Sequence, residues 1–391
     1  MSKKIALSII LLGIIVLVSG CGGMVLSVLK KDELGKENGI AMIHVRIKDP
    51  SRSFKYTVLS IESEDDHISY LTFFVNAWSE ANQDFGWKVQ NGVNVFDHYF
   101  FVEGKPGRYF INDVTMHYAL PGEHGERYYF ELPVNRAFDM KKEGVVICGV
   151  ADFSINKVEG KSPNLHLDYA SGFMQSDAET ATTIEQFKPN YSSLYKTYLA
   201  QGPVGRSFFG YHANLKRTEG HKEWASYDGK NFTAWRGGGL WLESTEKDKN
   251  KHGYTSGKNM MNLPKNMNIE SSMRWADGMK DAFYGMRIGL DAKNAYYFGV
   301  SASGSPVIWI IKNGEYQQYP AVKKPGLFYA SKEKQDVFRI EIVNDQIAFR
   351  INNEPIGAFK GTLDISKAYV GYFVSGSQKV HVDAIQITEG N

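Results

Sequence analysis

The sequence is poor in cysteine and has almost no excess of either charge, two features that mark common protein classes. Cysteine occurs only twice in 391 residues, at Cys21 and Cys148. Two cysteines exclude a framework of several disulfides and a four-cysteine zinc site. Charge of one sign is also lacking, because 45 Lys+Arg stand against 43 Asp+Glu. Without a basic excess to displace counterions, nothing favours binding to nucleic acid.

Familiar catalytic and metal-binding motifs are missing as well. The ten histidines form no HxH or HExxH, and GxSxG does not occur, so the sequence predicts no metal, no cofactor and no catalytic nucleophile. His117, Glu123 and His124 flank a Pro-Gly turn, which we interpret as a solvated loop. ESEDD at Glu62–Asp66 could bind calcium, but it lacks the spacing of a calcium loop and is interpreted as a charged turn.

The first twenty residues, MSKKIALSIILLGIIVLVSG, have the basic start, apolar centre and small final residues of an export signal. VSGC resembles the bacterial lipobox, which implies cleavage before Cys21 and a lipid on that cysteine. Removing residues 1–20 takes away Lys3 and Lys4, so 43 basic residues then balance 43 acidic ones. An uncleaved membrane helix is the alternative, because apolar residues continue to Leu29. SGCGG interrupts that run.

Apart from this segment, the composition favours β-structure: 22 Tyr, 23 Phe and 38 Gly against 12 Pro. Residues 30–39, KKDELGKENG, are charged and short of apolar residues, so residues 21–39 are predicted to be a tether. From Ile40 the residues alternate, with Ala41, Ile43, Val45 and Ile47 on one face. The stretch YFFVEGKPGRYFINDVTMHY resembles small immunoglobulin-like or prealbumin-like domains of bacterial lipoproteins. We therefore expect an antiparallel β-sandwich over residues 40–175.

Residues 176–223 differ from their neighbours. DAETATTIEQFKPNYSSLYKTYLA has acidic residues early and Pro189 in its middle, which predicts one or two short helices broken at the proline. We interpret this segment as a partly helical connection between two domains.

The rest of the chain, residues 224–391, is rich in predicted strands. FYGMRI, YYFGV, VIWIIKNG, FRIEIVNDQIAFRINN, YVGYFV and VDAIQI follow in that order. This series resembles the concanavalin A-like jelly roll, in the laminin-G-like branch that includes the 3-keto-disaccharide hydrolase-like domains. The family's Asn-Gly turn is replaced by Asn352-Asn353. The expected fold class is thus all-β, with a sandwich and a jelly roll joined by the connection.

One hairpin within this series raises a question of charge. If Asn344 and Asp345 form a two-residue turn, Arg339 stands directly opposite Arg350, and like charges so placed are unfavourable. We expect Glu341 to be shared between the two arginines on a solvated face. An anion-binding site is the alternative.

Aromatic residues on successive jelly-roll strands are the candidates for ligand binding, since sugars stack on aromatic rings. Trp275, Arg287, Tyr297 and Trp309 could share one face. Core packing is the alternative for each aromatic residue. No strand of the jelly roll carries two alternating carboxylates, the arrangement used by retaining glucanases.

These observations favour a lipid-anchored protein of the cell envelope whose jelly roll binds a glycan or another envelope component without catalysis. Gly22 after Cys21 would permit release to an outer membrane, if the cell has one. The alternatives are a saccharide hydrolase and a protein-binding scaffold.

The anchor is directly testable. We expect the native protein to begin at Cys21 and to carry a diacylglyceryl group there, and Cys21→Ser to leave a full-length precursor in the inner membrane. Intact-mass spectrometry checks this. Native protein that still contains residues 1–20 would instead identify a membrane-spanning helix.

Overall fold

The structure is a computed structural model. It describes residues 26–49, 54–63, 87–119, 127–161, 164–200, 204–216, 224, 227–228, 230–257, 263–322 and 334–390. The predicted signal segment, Cys21, and Glu123 and His124 of the predicted loop lie outside the described residues. Among the described residues, no helix is both long and apolar enough to span a bilayer. The chain divides into two compact units, Met1–Phe208 and Phe209–Asn391.

The first unit is built of ten described strands and a helical segment. The strands are β1 (Leu26–Val28), β2 (Gly39–Asp49), β3 (Phe54–Ser63), β4 (Trp87–Gln90), β5 (Val93–Gly104), β6 (Gly107–Ala119), β7 (Arg127–Met140), β8 (Val145–Lys161), β9 (Asn164–Met174) and β10 (Val204–Arg206). Helix α1 covers Asp177–Phe187, and a turn at Ser192–Leu194 continues as a π-helical turn at Tyr195–Leu199.

Two sheets form the sandwich of the first unit. One has the order β1-β5-β2-β8-β10, with β4 on β5 and β9 on β8, and β6 pairs with β3 and β7 in the other. Ala41, Ile43, Val45 and Ile47 point into the core between them, as their alternation predicted. The expected purely antiparallel order is not found, because β8 runs parallel to β2 and to β10.

The helical segment forms a third layer on the first sheet. Phe187 and Leu194 are buried against Met42 and Ile147, on the face of β2 and β8 that points away from the sandwich core. The N-cap is Ser176, whose Oγ accepts a hydrogen bond from the Glu179 backbone N–H (3.2 Å). Helix α1 ends just before Pro189, as predicted. These helices therefore belong to the core of the first unit, whereas the sequence suggested a connection.

The predicted tether is likewise part of this unit from residue 26 onward. β1 pairs with β5, and the Tyr191 hydroxyl donates to the Leu29 carbonyl (2.7 Å). The Asp32 carboxylate accepts from the backbone N–H groups of Ser193 (2.8 Å) and Leu194 (3.0 Å). These bonds lower the pKa of Asp32, the largest cause being the bond from Leu194.

The second unit contains fifteen described strands. They are β11 (Phe208–Asn214), β12 (Tyr227–Asp228), β13 (Phe232–Arg236), β14 (Leu240–Thr245), β15 (His252–Ser256), β16 (Met267–Gly278), β17 (Phe283–Asp291), β18 (Asn294–Ser301), β19 (Pro306–Lys312), β20 (Glu315–Tyr319), β21 (Asp336–Val343), β22 (Gln346–Ile351), β23 (Glu354–Lys360), β24 (Tyr369–Ser375) and β25 (Ser377–Glu389). A 3₁₀ turn covers Ile365–Lys367.

These strands form a sandwich of two antiparallel sheets. One sheet has the order β15-β24-β17-β18-β19-β20, and the other has the order β23-β22-β21-β16-β25, with β11 and β14 on the far side of β25. From β16 the chain crosses to the first of these sheets for β17–β20, returns for β21–β23, and crosses again for β24 and β25. Inward side chains of both sheets share one core. The all-β prediction is confirmed.

The arginine hairpin forms in the predicted register. Asn344 and Asp345 both have positive φ, at 49° and 65°, and Arg339 stands opposite Arg350. The predicted sharing of Glu341 is not seen. Glu341 pairs with Arg350 (3.1 Å), while Arg339 pairs with Glu270 on the neighbouring strand β16. Each arginine thus has its own carboxylate, which removes most of their repulsion.

The boundary between the units leads to a prediction about fragments. The sequence placed the start of the jelly roll at residue 224, but β11 pairs with β25 and adds Phe209, Tyr211 and Leu215 to the core. We expect a fragment of residues 209–391 to unfold cooperatively. A fragment of residues 220–391 should lose several kcal/mol, at roughly 1.5–3 kcal/mol for each large buried side chain. Urea titrations followed by circular dichroism compare the two, and equal midpoints would show that β11 is dispensable.

Candidate functional site

Three of the four predicted ligand-binding residues lie side by side on the outer face of the sheet β15-β24-β17-β18-β19-β20. Arg287 on β17 stands opposite Tyr297 on β18, and Tyr297 stands opposite Trp309 on β19. The residues that alternate with them, such as Met286 and Phe298, point into the core. The strand period of two therefore brings a guanidinium and two aromatic rings together in one row across three strands.

Trp275, the fourth predicted residue, does not join this row. It lies on β16 of the other sheet, opposite Val380, and its side chain is in the core, 6% exposed. The expectation of one shared face fails for Trp275 because it combined residues from both sheets of the sandwich. Tyr284 on β17 is also fully buried in the core.

The outer face is covered by a cluster of aromatic rings. The ring of Tyr297 lies edge-to-face with those of His252 (centroids 4.8 Å apart) and Phe373 (5.1 Å). Trp309 lies edge-to-face with Phe283 (5.2 Å). Edge-to-face contacts are a favoured arrangement of aromatic rings, since the positive edge of one meets the negative face of the other.

Two glycines make room for this cluster. A Cβ added to Gly299 would come within 2.7 Å of the Phe373 ring, and one added to Gly289 would come within 2.5 Å of Arg287 Nη2. No real Cβ tolerates such distances. Glycine at these two outward positions is therefore what lets the Phe373 ring and the Arg287 guanidinium lie against the sheet.

Arg287 lies between the sheet and the Tyr254 ring and contacts both Tyr254 and Tyr297. It is only 2% exposed. Its Nε donates to the Tyr297 hydroxyl (3.1 Å), its Nη2 donates to the Asp291 carbonyl, and its guanidinium carbon lies 4.2 Å from the centroid of the Tyr254 ring. A stacked guanidinium of this kind fixes the position of the ring above it. Arg287 therefore positions Tyr254 and Tyr297 and is itself largely shielded from solvent.

A cleft of about 730 Å³ opens beside these rings. Two of its aromatic side chains are exposed, Tyr254 at 36% and Tyr316 at 60%. Polar groups stand around them, including Glu246, which accepts a hydrogen bond from the Asn231 side chain (3.0 Å). The cleft is lined by Lys230, Asn231, Phe232, Ser244, Glu246, Asn250, Lys251, His252, Gly253, Tyr254, Ala292, Tyr297 and Tyr316.

His252 presents an uncharged ring to this cleft. Burial, and next the positive charge of Arg287, lower its pKa to about 4, so the imidazole is neutral at neutral pH. The Tyr316 hydroxyl lies 3.5 Å from its Nε2. A neutral imidazole offers one donor and one acceptor, which suits hydroxyl groups of a ligand.

His252, Tyr254 and Tyr316 were not among the residues predicted from the sequence. The available signal was weak alternation in two short segments, HGYTS and EYQQY. Short strands of this kind pair at or near the edge of a sheet, and nothing in their own sequence shows which strand they will join. They become part of the site only through the pairing of β15 with β24 and of β20 with β19.

Other reactive groups do not gather at this site. Within the part of the chain that the structure describes, no group of three or more His, Cys, Asp or Glu side chains is arranged to hold a metal ion. Cys148 is buried in the first unit, and burial strongly raises the pKa of its thiol. A thiol in that state is a poor nucleophile.

Comparisons with known proteins show weak structural likeness. No protein-family profile and no curated protein matches the chain. A carbohydrate-binding module from Bacillus subtilis is similar at 16% identity over 41% of this chain and 88% of its own, with a TM-score of 0.27.

Two enzymes are similar at the same level. An endo-β-1,3-glucanase from Pyrococcus furiosus matches at 12% identity over 47% of this chain and 95% of its own, with a TM-score of 0.35. A family 16 endo-glucanase from Bacteroides ovatus matches at 12% identity over 45% and 99%, with a TM-score of 0.32. At these scores the likeness carries no argument about what this chain does.

The depressed pKa of His252 predicts a pH-dependent stability. An unfolded histidine has a pKa near 6.5, so between about pH 6.5 and about pH 4 the unfolded state binds a proton that the native state excludes. Stability should therefore fall as the pH drops through this window, by on the order of 2 kcal/mol from this group. His252→Gln should remove that part of the fall. Urea titrations at about pH 7.5 and about pH 4.5 measure it, and an unchanged pH dependence in the variant would assign the effect elsewhere.

Proposed function

We propose that the second unit binds a neutral glycan in the cleft beside Tyr316, and that the protein is a lipid-anchored binding protein of the cell envelope. The observation that carries the first part is the exposure of the Tyr254 and Tyr316 rings at the cleft, next to the uncharged His252. Large aromatic rings are normally buried, so rings kept exposed beside a polar cleft are available for a ligand.

The chemistry of a sugar fits this arrangement. A sugar ring has apolar C–H faces that stack on aromatic rings, and hydroxyl groups around its edge that need donors and acceptors. Tyr254 and Tyr316 supply ring faces. Glu246, Asn231 and Asn250 supply acceptors and amide donors within the same cleft.

The balance of charge in the cleft favours a neutral ligand over a strongly acidic one. Its lining contains Lys230 and Lys251 together with Glu246, so opposite charges stand in the same cleft. Arg287 is shielded beneath Tyr254 and offers no exposed positive surface. A shallow site of this kind desolvates few groups on binding. Affinity on the order of micromolar to millimolar is therefore expected.

The attachment to a membrane is the second part of the proposal, and the residues that support it are the basic start, the apolar run and VSGC at residues 18–21. β1 begins at Leu26, so residues 22–25 alone separate Cys21 from this strand. The five residue steps from Cys21 to Leu26 span at most roughly 18 Å when extended. A lipid on Cys21 would therefore hold the first unit close to the bilayer surface.

The glycan site is tested by removing its exposed rings. Tyr316→Ala and Tyr254→Ala should each lower the affinity for a bound polysaccharide about tenfold, because one stacking contact of roughly 1.4 kcal/mol is lost. Affinity gel electrophoresis of the full chain with laminarin, xyloglucan and mannan provides the measurement. Tyr316 is 60% exposed, so its replacement should leave the urea midpoint unchanged.

Tyr369→Ala is the matched control. Its ring is 37% exposed on the same sheet but does not line the cleft, so this variant should bind like the unmodified protein. Equal retardation of all three variants, or no retardation of the unmodified protein by any of the polysaccharides, would contradict the proposal. Release of reducing sugar during the assay would favour a saccharide hydrolase over a binding protein.

A further inference from the structure

The outer face of the opposite sheet of the second unit carries a second aromatic group, formed by the hairpin WRGGGLW of β13 and β14. Trp235 stands opposite Trp241, Trp241 opposite His381 on β25, and His381 opposite Arg274 on β16. The alternating residues, such as Leu242 and Val380, point into the core. One row across four strands therefore presents two indoles, an imidazole and a guanidinium.

The two indoles lie nearly parallel. Their planes differ by 14° and their ring centroids are 6.2 Å apart, and both side chains are half-buried. The Trp241 Nε1–H donates to the Gly237 carbonyl (2.8 Å). Trp235 has no hydrogen-bond acceptor for its Nε1–H among the described residues.

Glycines leave the rings uncovered at the tip of the hairpin. A Cβ added to Gly238 would meet nothing within 4 Å, and one added to Gly237 would meet only the edges of the two indoles, at 3.9 to 4.0 Å. Any larger side chain at these positions would project beside the rings. The hairpin thus keeps a free space next to the two indoles, called here the tryptophan platform (Trp235 and Trp241).

Polar groups of both signs border the platform. The Lys379 ammonium lies 4.8 Å from the centroids of both indoles. Glu243 and Asp277 stand opposite Lys379 on the two neighbouring strands, and the Glu243 carboxylate is 4.0 Å from its ammonium. A donor held over the two indole rings, with carboxylate acceptors beside it, suits the neighbouring hydroxyl groups of a neutral sugar.

A buried network holds the platform in place. The His381 Nε2–H donates to the Gly238 carbonyl (2.9 Å), and its Nδ1 lies 2.6 Å from the Asp383 carboxylate, which also pairs with Lys216 (3.1 Å). Burial raises the pKa of Asp383, but His381 and Lys216 outweigh it and lower the pKa. A Cβ on Gly239 would come within 2.0 Å of His381, so only glycine lets the histidine support the hairpin tip.

We propose that the tryptophan platform is a second saccharide-binding site, so that the second unit holds two separate glycan chains. The proposal rests on the function proposed above for the cleft, from which it takes the class of ligand. The platform itself is an independent observation. The outer faces of two sheets packed against each other point in opposite directions. One short oligosaccharide cannot reach both sites, and the protein would therefore cross-link polysaccharide chains.

A purely structural role is the competing explanation. Cross-strand aromatic pairs stabilise hairpins by themselves, and a pair with that role alone would not respond to a sugar. The two explanations differ in one measurable property, which is whether the environment of these two indoles changes when a saccharide is present.

The experiment uses the full chain labelled with 5-fluorotryptophan, whose seven tryptophans give separate fluorine resonances. Trp235→Phe and Trp241→Phe assign the platform signals. Laminarihexaose, cellohexaose and xylohexaose are the probes. We expect one of them to shift the Trp235 and Trp241 resonances in a saturable way, both in the unmodified chain and in Tyr316→Ala. Lys379→Gln, which keeps both rings, should weaken this response several-fold.

Cross-linking is measured as the turbidity of a mixture with the matching polysaccharide. The unmodified chain should make the mixture turbid, and either Tyr316→Ala or Trp235→Phe should reduce the turbidity. Platform resonances that stay fixed while the Trp309 resonance shifts would overturn the second site and leave the cleft proposal standing. Platform resonances that shift while the Trp309 resonance stays fixed, together with unchanged polysaccharide retardation of Tyr316→Ala, would overturn the cleft and retain the platform. No shift with any probe would overturn both.

Discussion

The core shared by the two sheets of the second unit is the constraint on which the rest of this unit depends. Rows such as Met286 with Phe298 and Leu242 with Val380 must face inward, because only there can their apolar surface leave water. Since side chains alternate along a strand, each inward row determines an outward one. Arg287, Tyr297 and Trp309 on one sheet, and Trp235, Trp241 and His381 on the other, are outward for this reason. The sites follow from the register that the core imposes.

On the outer faces, large polar side chains are held in defined positions by their neighbours. On one face Arg287 lies against the backbone at Gly289 and beneath Tyr254, with donors satisfied by Tyr297 and the Asp291 carbonyl. On the other face His381 lies beneath the glycine hairpin and bonds to Asp383. Burying a polar or charged group is costly unless it is hydrogen-bonded or paired, and the side chains of Arg287 and His381 both have such partners. Rings supported in this way lose little conformational freedom when they meet a ligand.

In the first unit, side chains also alternate along each strand, but both faces of the sheet that contains β2 and β8 are covered. Ile43 and Val45 pack between the two sheets, while Met42 packs under helix α1 and the turn around Leu194. A strand buried on both sides needs a cover on both sides, and the helical segment supplies the second one. Asp32 and Leu29 tie the beginning of the described chain to the same helical layer. The helical segment between β9 and β10 is therefore structural, and residues 26–38 are held to this unit.

The sequence by itself determined the elements whose signal is local. Alternation in Ile40–Lys48, the Asn344-Asp345 turn and the break at Pro189 were all predictable, because strand period, positive φ and the missing proline N–H act over a few residues. Only the tertiary structure decided what depends on distant pairing. It separated Trp275 from Tyr297, gave Arg339 the partner Glu270, and brought His252 and Tyr316 into one cleft. Which strands become neighbours, and which side of each faces the core, is decided by burying all inward rows at once, and no single segment contains that information.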